Sequence, residues 1–105
     1  MPTTPLQLLP RDALIAQAAA VFSLPAAQIQ RPCGRSRSQV KARELAALCL
    51  RRFTLMSFPE IAQALGYGGH PAAMHAVRQA ARDRDLSAAA AVIAGRIGNP
   101  TGSLA

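Results

Sequence analysis

Alanine occupies 23 of the 105 positions of this chain, against no tryptophan, one tyrosine and three phenylalanines. Alanine is the strongest helix former and gives little bulk to the core of a β-sandwich. Such a chain buries itself best by packing helices closely, so an all-α fold is expected. The length fits one domain, which buries about two thirds of its unfolded surface on folding. Half of the residues are apolar, which excludes wholesale disorder. No apolar run reaches the roughly 18 residues of a membrane span. The first residues lack the basic-then-apolar pattern of a secretory signal. Two cysteines, Cys33 and Cys49, make no disulfide framework and fit a reduced, cytoplasmic protein.

Charge is the first pointer to function. Twelve basic residues, eleven of them arginine, face five acidic ones, a formal +7. Arg31, Arg35, Arg37, Lys41, Arg43, Arg51 and Arg52 lie in one stretch whose only acid is Glu44. The planar guanidinium fork suits phosphate oxygens. A localised basic patch on a small domain reads as an anion-binding surface, most often for nucleic acid. The plainer alternative is a solvated face that aids solubility.

Punctuation divides the chain into about six helices. Residues 1–10 carry Pro2, Pro5 and Pro10 and read as a flexible leader. Asp12 can cap a helix to about Phe22, with Leu14, Ala18, Val21 and Phe22 as its stripe. Ser23 can cap a short helix with Pro25 in its first turn, ending near Gln30. Residues 31–38 form a basic loop broken by Pro32 and Gly34. Ser38 can cap a long helix to about Thr54, with Ala42, Leu45, Ala46, Cys49 and Phe53 inward. A second stripe at spacing four runs Gln39, Arg43, Ala47, Arg51, and the small Ala47 suggests a face open to a phosphate backbone.

Ser57-Phe58-Pro59-Glu60 has the spacing of a capping box with proline in the first turn. The helix it opens runs Phe58 to Leu65 and stops at Gly66-Tyr67-Gly68-Gly69. Another follows from His70 or Pro71 to about Arg84, with Ala73, Met74, Val77 and Ala81 inward and His75, Arg78, Gln79 and Arg82 outward. Two short helices joined by a tight glycine turn, beside a basic patch, have the pattern of a helix-turn-helix. Ser87 can cap a last alanine-rich helix to about Ile97, with Ala88, Ala91, Val92 and Ile93 as its apolar residues. The organisation expected is a leader (1–10), a helix-turn-helix domain (11–85), a C-terminal helix (86–98) and a tail (99–105).

From about Leu14 to Arg82 the chain resembles the C-terminal DNA-binding domain, domain IV, of the bacterial replication initiator DnaA. Three segments carry the resemblance. Arg35-Ser36-Arg37-Ser38 is similar to the family's basic loop. The stretch from Arg51 to Ile61, RRFTLMSFPEI, is similar to the family's R-x-L-T-x-x-S-L-P-E-I-G. Gly66 to Ala76, GYGGHPAAMHA, lines up with G-G-R-D-H-T-T-V-L-H-A. The resemblance implies a Trp-repressor-like helix-turn-helix bundle that binds double-stranded DNA in replication control or transcription regulation, associated with the nucleoid. It implies a minor-groove arginine at Arg35 and backbone or base contacts at Arg43 and Arg51. It also implies a recognition helix opened by His70. The DNA-facing set expected is Arg35, Arg37, Lys41, Arg43, Arg51, Tyr67, His70, Pro71, Ala72 and His75.

The departures concern reading. The family's Arg-Asp before the histidine is Gly68-Gly69 here, and its two following hydroxyl residues are Pro71 and Ala72. None of the four offers a side-chain hydrogen bond to a base edge. Nothing reads as the phosphate-binding G-x-x-x-x-G-K-[ST] of an ATPase. The competing reading is a protein-interaction module, derived from that domain, that binds itself or another replication or regulatory protein through the C-terminal helix. His70 has a plainer reading as a helix-start residue, and Tyr67 as a cover for Phe58. Neither a metal nor another cofactor is expected. His70 and His75 are five apart, about 140° around a helix, and Cys33 and Cys49 form no C-x-x-C clip. The five carboxylates, Asp12, Glu44, Glu60, Asp83 and Asp85, are scattered, so no enzyme is expected.

Overall fold

The computed structural model describes residues 9–30 and 36–98. They form six α-helices and, among the described residues, no strand: α1 (Arg11–Val21), α2 (Ala26–Gln30), α3 (Arg37–Phe53), α4 (Phe58–Leu65), α5 (His70–Arg82) and α6 (Arg84–Gly98). The all-α expectation holds. No described helix is long and apolar enough to cross a membrane.

The bundle is built around α3, which packs against each of the other five helices. Its six consecutive residues Leu45 to Leu50 are all buried. A helix apolar on all sides must lie in the middle of a bundle. Ala47, expected to open a face to phosphate, is fully buried. Each fully buried leucine here, Leu45 and Leu50 among them, contributes up to about 1.5–3 kcal/mol.

Caps set where the helices begin and end. At α3 the cap is Ser36 rather than Ser38: the Gln39 N–H donates to Ser36 Oγ at 3.1 Å, and the Ser36 N–H donates back to Gln39 Oε1 at 3.4 Å. Only Ser36 stands three residues before a glutamine, so only it closes the box. At α4 the box is as expected, with the Ser57 N–H donating to Glu60 Oε1 at 2.8 Å. That bond holds the Glu60 carboxyl below its ordinary range. At α1 the cap position is Pro10, and Asp12 lies in the first turn without capping.

Ser23 does not cap α2 but ends α1. Its N–H donates to Ala20 O and the Leu24 N–H to Ala19 O, with Ser23 itself in the left-handed region at φ 57°. This is the Schellman pattern, with serine where glycine is usual. α6 begins at Arg84 instead of near Ser87, because Asp83 Oδ1 accepts the N–H groups of Asp85 and Leu86 at 2.9 and 3.1 Å. A single residue therefore ends α5 and caps α6.

Helix faces also differ in part from the expected stripes. In α1 the buried set is Leu14, Ile15, Ala18 and Ala19, while Val21 is exposed. In α5 Ala73, Ala76 and Ala80 are buried and Ala81 is exposed. In α6 Leu86, Ala90 and Ile93 are buried with Ile97 packed beside them, whereas Ala88, Ala91 and Val92 face outward. The two large residues at its ends, Leu86 and Ile97, fix that face. α6 packs on α1, α3 and α5, so it shares the core of the helix-turn-helix rather than hanging from it.

Candidate nucleic-acid interface

The α4–α5 pair forms the helix-turn-helix. The turn reverses at Gly66, at φ 72°, where Ala62 O accepts the N–H of both Gly66 and Tyr67. Glycine is needed there because an L side chain disfavours that backbone. Gly68 and Gly69 differ. Neither lies in the left-handed region, a Cβ at Gly68 would meet nothing within 4 Å, and one at Gly69 would meet only Pro71 Cδ at 3.6 Å.

Two arginines of α3 grip the two ends of α4. The Arg51 guanidinium lies 4.2 Å from the ring centroid of Phe58, the first residue of α4. The Arg43 guanidinium lies 4.4 Å from the centroid of Tyr67, just past the other end, and Arg43 Nη2 donates to Leu65 O at 2.9 Å. Arg43 and Arg51 are eight residues apart, about 12 Å along a helix, and α4 is eight residues long. The spacing matches, so α3 runs antiparallel to α4 between Arg43 and Arg51, with a cation at each end.

Several expected DNA-facing residues thus have intramolecular partners. Arg43 is half-buried, and its Nε is buried without a hydrogen-bond partner among the described residues. Burial pushes the Tyr67 phenol up to about 12, against the lowering pull of Arg43. Tyr67 lies against Arg43, and the side chain over Phe58 is that of Arg51. Lys41 Nζ pairs with Asp83 Oδ2 at 2.7 Å, tying α3 to the α5–α6 joint. The Lys41 hydrogen bond holds the Asp83 carboxyl below its ordinary range, and the same bond raises the lysine. Burial raises the Glu44 carboxyl, with Lys41 and His75 opposing.

The other expected residues are open to solvent. Arg37 is exposed at the start of α3, Arg51 near its end, and His70, Pro71, Ala72 and His75 along α5. Arg35 and Cys33 lie outside the described residues. Arg78 and Arg82 share the exposed side of α5. Their outward placement is legible from the helical period, yet they are missing from the expected contact set. The signal was the run Pro71, His75, Arg78, Arg82 at spacings of four, three and four, which is one face of a helix. Ala72 and His75 also border a groove between α3 and α5, lined further by Val40, Arg43, Glu44, Tyr67 and Ala76.

Cys49 is buried in α3, and burial pushes its thiol up to about 12, which suits a small core residue and not a nucleophile. Among the described residues no group of three or more His, Cys, Asp or Glu side chains is placed to hold a metal ion.

The family model for the bacterial dnaA protein helix-turn-helix matches residues 12–80, from the first turn of α1 into the last turns of α5. A comparison with curated proteins finds no match. The matched span is most of the chain, and it contains the grip of α3 on α4, the Gly66 turn and the exposed face of α5 as far as Arg78. The chain therefore belongs to the bacterial dnaA protein helix-turn-helix family and is a DNA-binding helix-turn-helix domain.

Proposed function

We propose that this domain binds double-stranded DNA mainly through the phosphate backbone, with reduced reading of base edges, in replication control or transcription regulation. One observation carries the reading. The turn and the first residues of α5 present Gly68, Gly69, Pro71 and Ala72, none with a side-chain donor or acceptor, while the same helix exposes Arg78 and Arg82. In a helix-turn-helix the N-terminal residues of the second helix face base edges, and phosphate contacts position the protein without specifying sequence. The contact set we assign is Arg35, Arg37, Arg51, His70, Pro71, Ala72 and His75, joined by Arg78 and Arg82. Lys41, Arg43 and Tyr67 stand behind that surface, held to Asp83, to Leu65 and to each other.

Salt tests this. Neutralising about four to six phosphates gives a slope of about −4 to −5 in log K against log salt. A selection from random duplexes should enrich weakly, and the family's nine-base-pair box should be preferred by no more than about tenfold, since losing two base contacts removes about 2–6 kcal/mol of discrimination. A slope near zero would refute DNA binding and favour the protein-interaction reading. A thousandfold preference for the box would refute the reduced base reading alone.

A further inference from the structure

We propose that the outward face of α6 is a self-association surface: a second copy of this chain lays its own α6 on it, antiparallel, and the dimer presents two helix-turn-helices. The inference goes beyond the duplex binding proposed above and does not depend on it.

The fold uses one side of α6 only. Leu86, Ala90 and Ile93 are buried. Ala88, Ala91, Val92 and Gly95 are exposed, Val92 at 53%. With 3.6 residues per turn, these four fall within an arc of about 100° on the opposite side of the helix. None of the residues assigned to the duplex lies on α6, so the face is free of that role. Gly95 has no purpose within one molecule. A Cβ there would meet nothing within 4 Å, and glycine inside a helix is about 1 kcal/mol less favourable than alanine. What it permits is the close approach of another helix.

The charges at the two ends of this face identify its occupant. Asp85 stands in the first turn of α6 and Arg96 in the last, both exposed. They are eleven residues apart, so they lie on one flank of the helix within about 20° and are separated by roughly 16 Å along it. Among the described residues neither has an ion-pair partner. Laid antiparallel, two such helices bring each Asp85 beside Arg96 of the other copy, with the four small residues between. Laid parallel, they set like charge against like. A face complementary to its own reverse is what a two-fold dimer requires. Arg84, the remaining exposed charge of α6, falls on the other flank, about 100° from Asp85. Exposed ion pairs add little affinity, so they set the orientation. Apolar contact at Val92 and close approach at Gly95 hold the pair together.

Sedimentation equilibrium of the intact chain without DNA, over a concentration series, tests this. The average mass should rise from 11.0 kDa toward twice that value. Ala91 is exposed and midway between Asp85 and Arg96, so it lies beside the two-fold axis. Ala91→Glu sets a carboxylate against its own copy and should hold the mass at one chain, with helix content unchanged. Asp85→Arg and Arg96→Asp should each weaken the dimer about tenfold, since two exposed pairs turn from attraction to repulsion. The two reversals combined restore opposite charges and should return the dimer to within about threefold of the parent. A mass fixed at one chain at every concentration overturns the inference. Association that Ala91→Glu leaves intact overturns it as well, because the contact then lies elsewhere. Single reversals that do not weaken the dimer, or that do not rescue each other, overturn the antiparallel pairing. With no duplex present, none of these outcomes bears on the DNA-binding reading.

Discussion

Removing the Arg43 side chain separates two uses of an arginine that a charge count merges. In Arg43→Ala, Leu65 O loses its donor at 2.9 Å and Tyr67 loses the cation over its ring. A hydrogen bond from a charged donor contributes about 1.5–3 kcal/mol, and a cation over an aromatic face about 0.5–1 kcal/mol at an exposed site. Arg43 is half-buried, so solvent screens part of both, and a net loss of about 1–2 kcal/mol is expected. For a domain of this size that lowers Tm by about 5–10 °C.

The DNA readout then discriminates. If Arg43 holds α4 and the turn in place, affinity falls for every duplex while the slope of log K against log salt stays put. If Arg43 touches phosphate, the slope flattens by about one. Arg43→Lys sharpens the contrast. Lysine keeps the charge for a phosphate but lacks the planar fork that can donate to Leu65 O and stack on Tyr67 together. It should therefore resemble the alanine variant in stability. An Arg43→Ala protein as stable as the parent, with its salt slope reduced by one, would refute the positioning role.

Four further outcomes follow from local geometry. Gly68→Arg with Gly69→Asp should fold normally, because neither glycine lies in the left-handed region or has a close Cβ neighbour, and should raise preference for the family's box by about 1–3 kcal/mol per contact regained in a competition titration. Ser23→Gly should stabilise the fold by about 1 kcal/mol in denaturant titration, since Ser23 sits at φ 57° where glycine carries no steric cost. The Asp83 carboxyl is depressed in the folded state, by the Lys41 hydrogen bond first and the α6 cap next. Its contribution is therefore full above its unfolded value and is lost as pH falls through the folded one. Asp83→Ala should lose that part of the acid dependence and speed amide exchange in the first turn of α6. The Tyr67 phenol rises from 10 to about 12 through burial, so stability should fall as pH rises between those values, because the unfolded chain loses that proton first. Tyr67→Phe should remove this alkaline slope.

Much of the fold was legible because it rests on local chemistry. The Ser57–Glu60 box, the Gly66 stop and the start of α5 at His70 each involve residues within four positions of one another. The errors arose where two local solutions compete. Ser36 and Ser38 are both good caps, and a glutamine at the right distance favours the first. Ser23 follows one helix and precedes another, and the α1 carbonyls take its N–H. Asp83 displaces Ser87 because a carboxylate with two oxygens can cap α6 with one and hold Lys41 with the other. That last choice depends on a residue 42 positions away, which no local pattern reveals. It also starts α6, which shares the core with α1, α3 and α5.

The site was less legible because its residues are defined by partners rather than by type. Arg37, Arg43 and Arg51 carry the same charge on the same helix, yet Arg37 is exposed, Arg51 lies over Phe58 while still reaching solvent, and Arg43 is drawn inward to Leu65 O. An alanine between arginines at spacing four admits two readings: a gap through which phosphate approaches, or a small contact that lets another helix come close. Ala47 is fully buried, and the arginines on either side of it reach the two ends of α4. The second reading therefore holds. A small residue permits close interhelical approach, and the arginines then wrap around the helix that has taken the space. This arrangement ties the proposed DNA surface to the core. Substitutions at α4 that shift Phe58 or Leu65 should change DNA binding by moving Arg51 and the turn before α5, without any of the altered side chains touching the duplex.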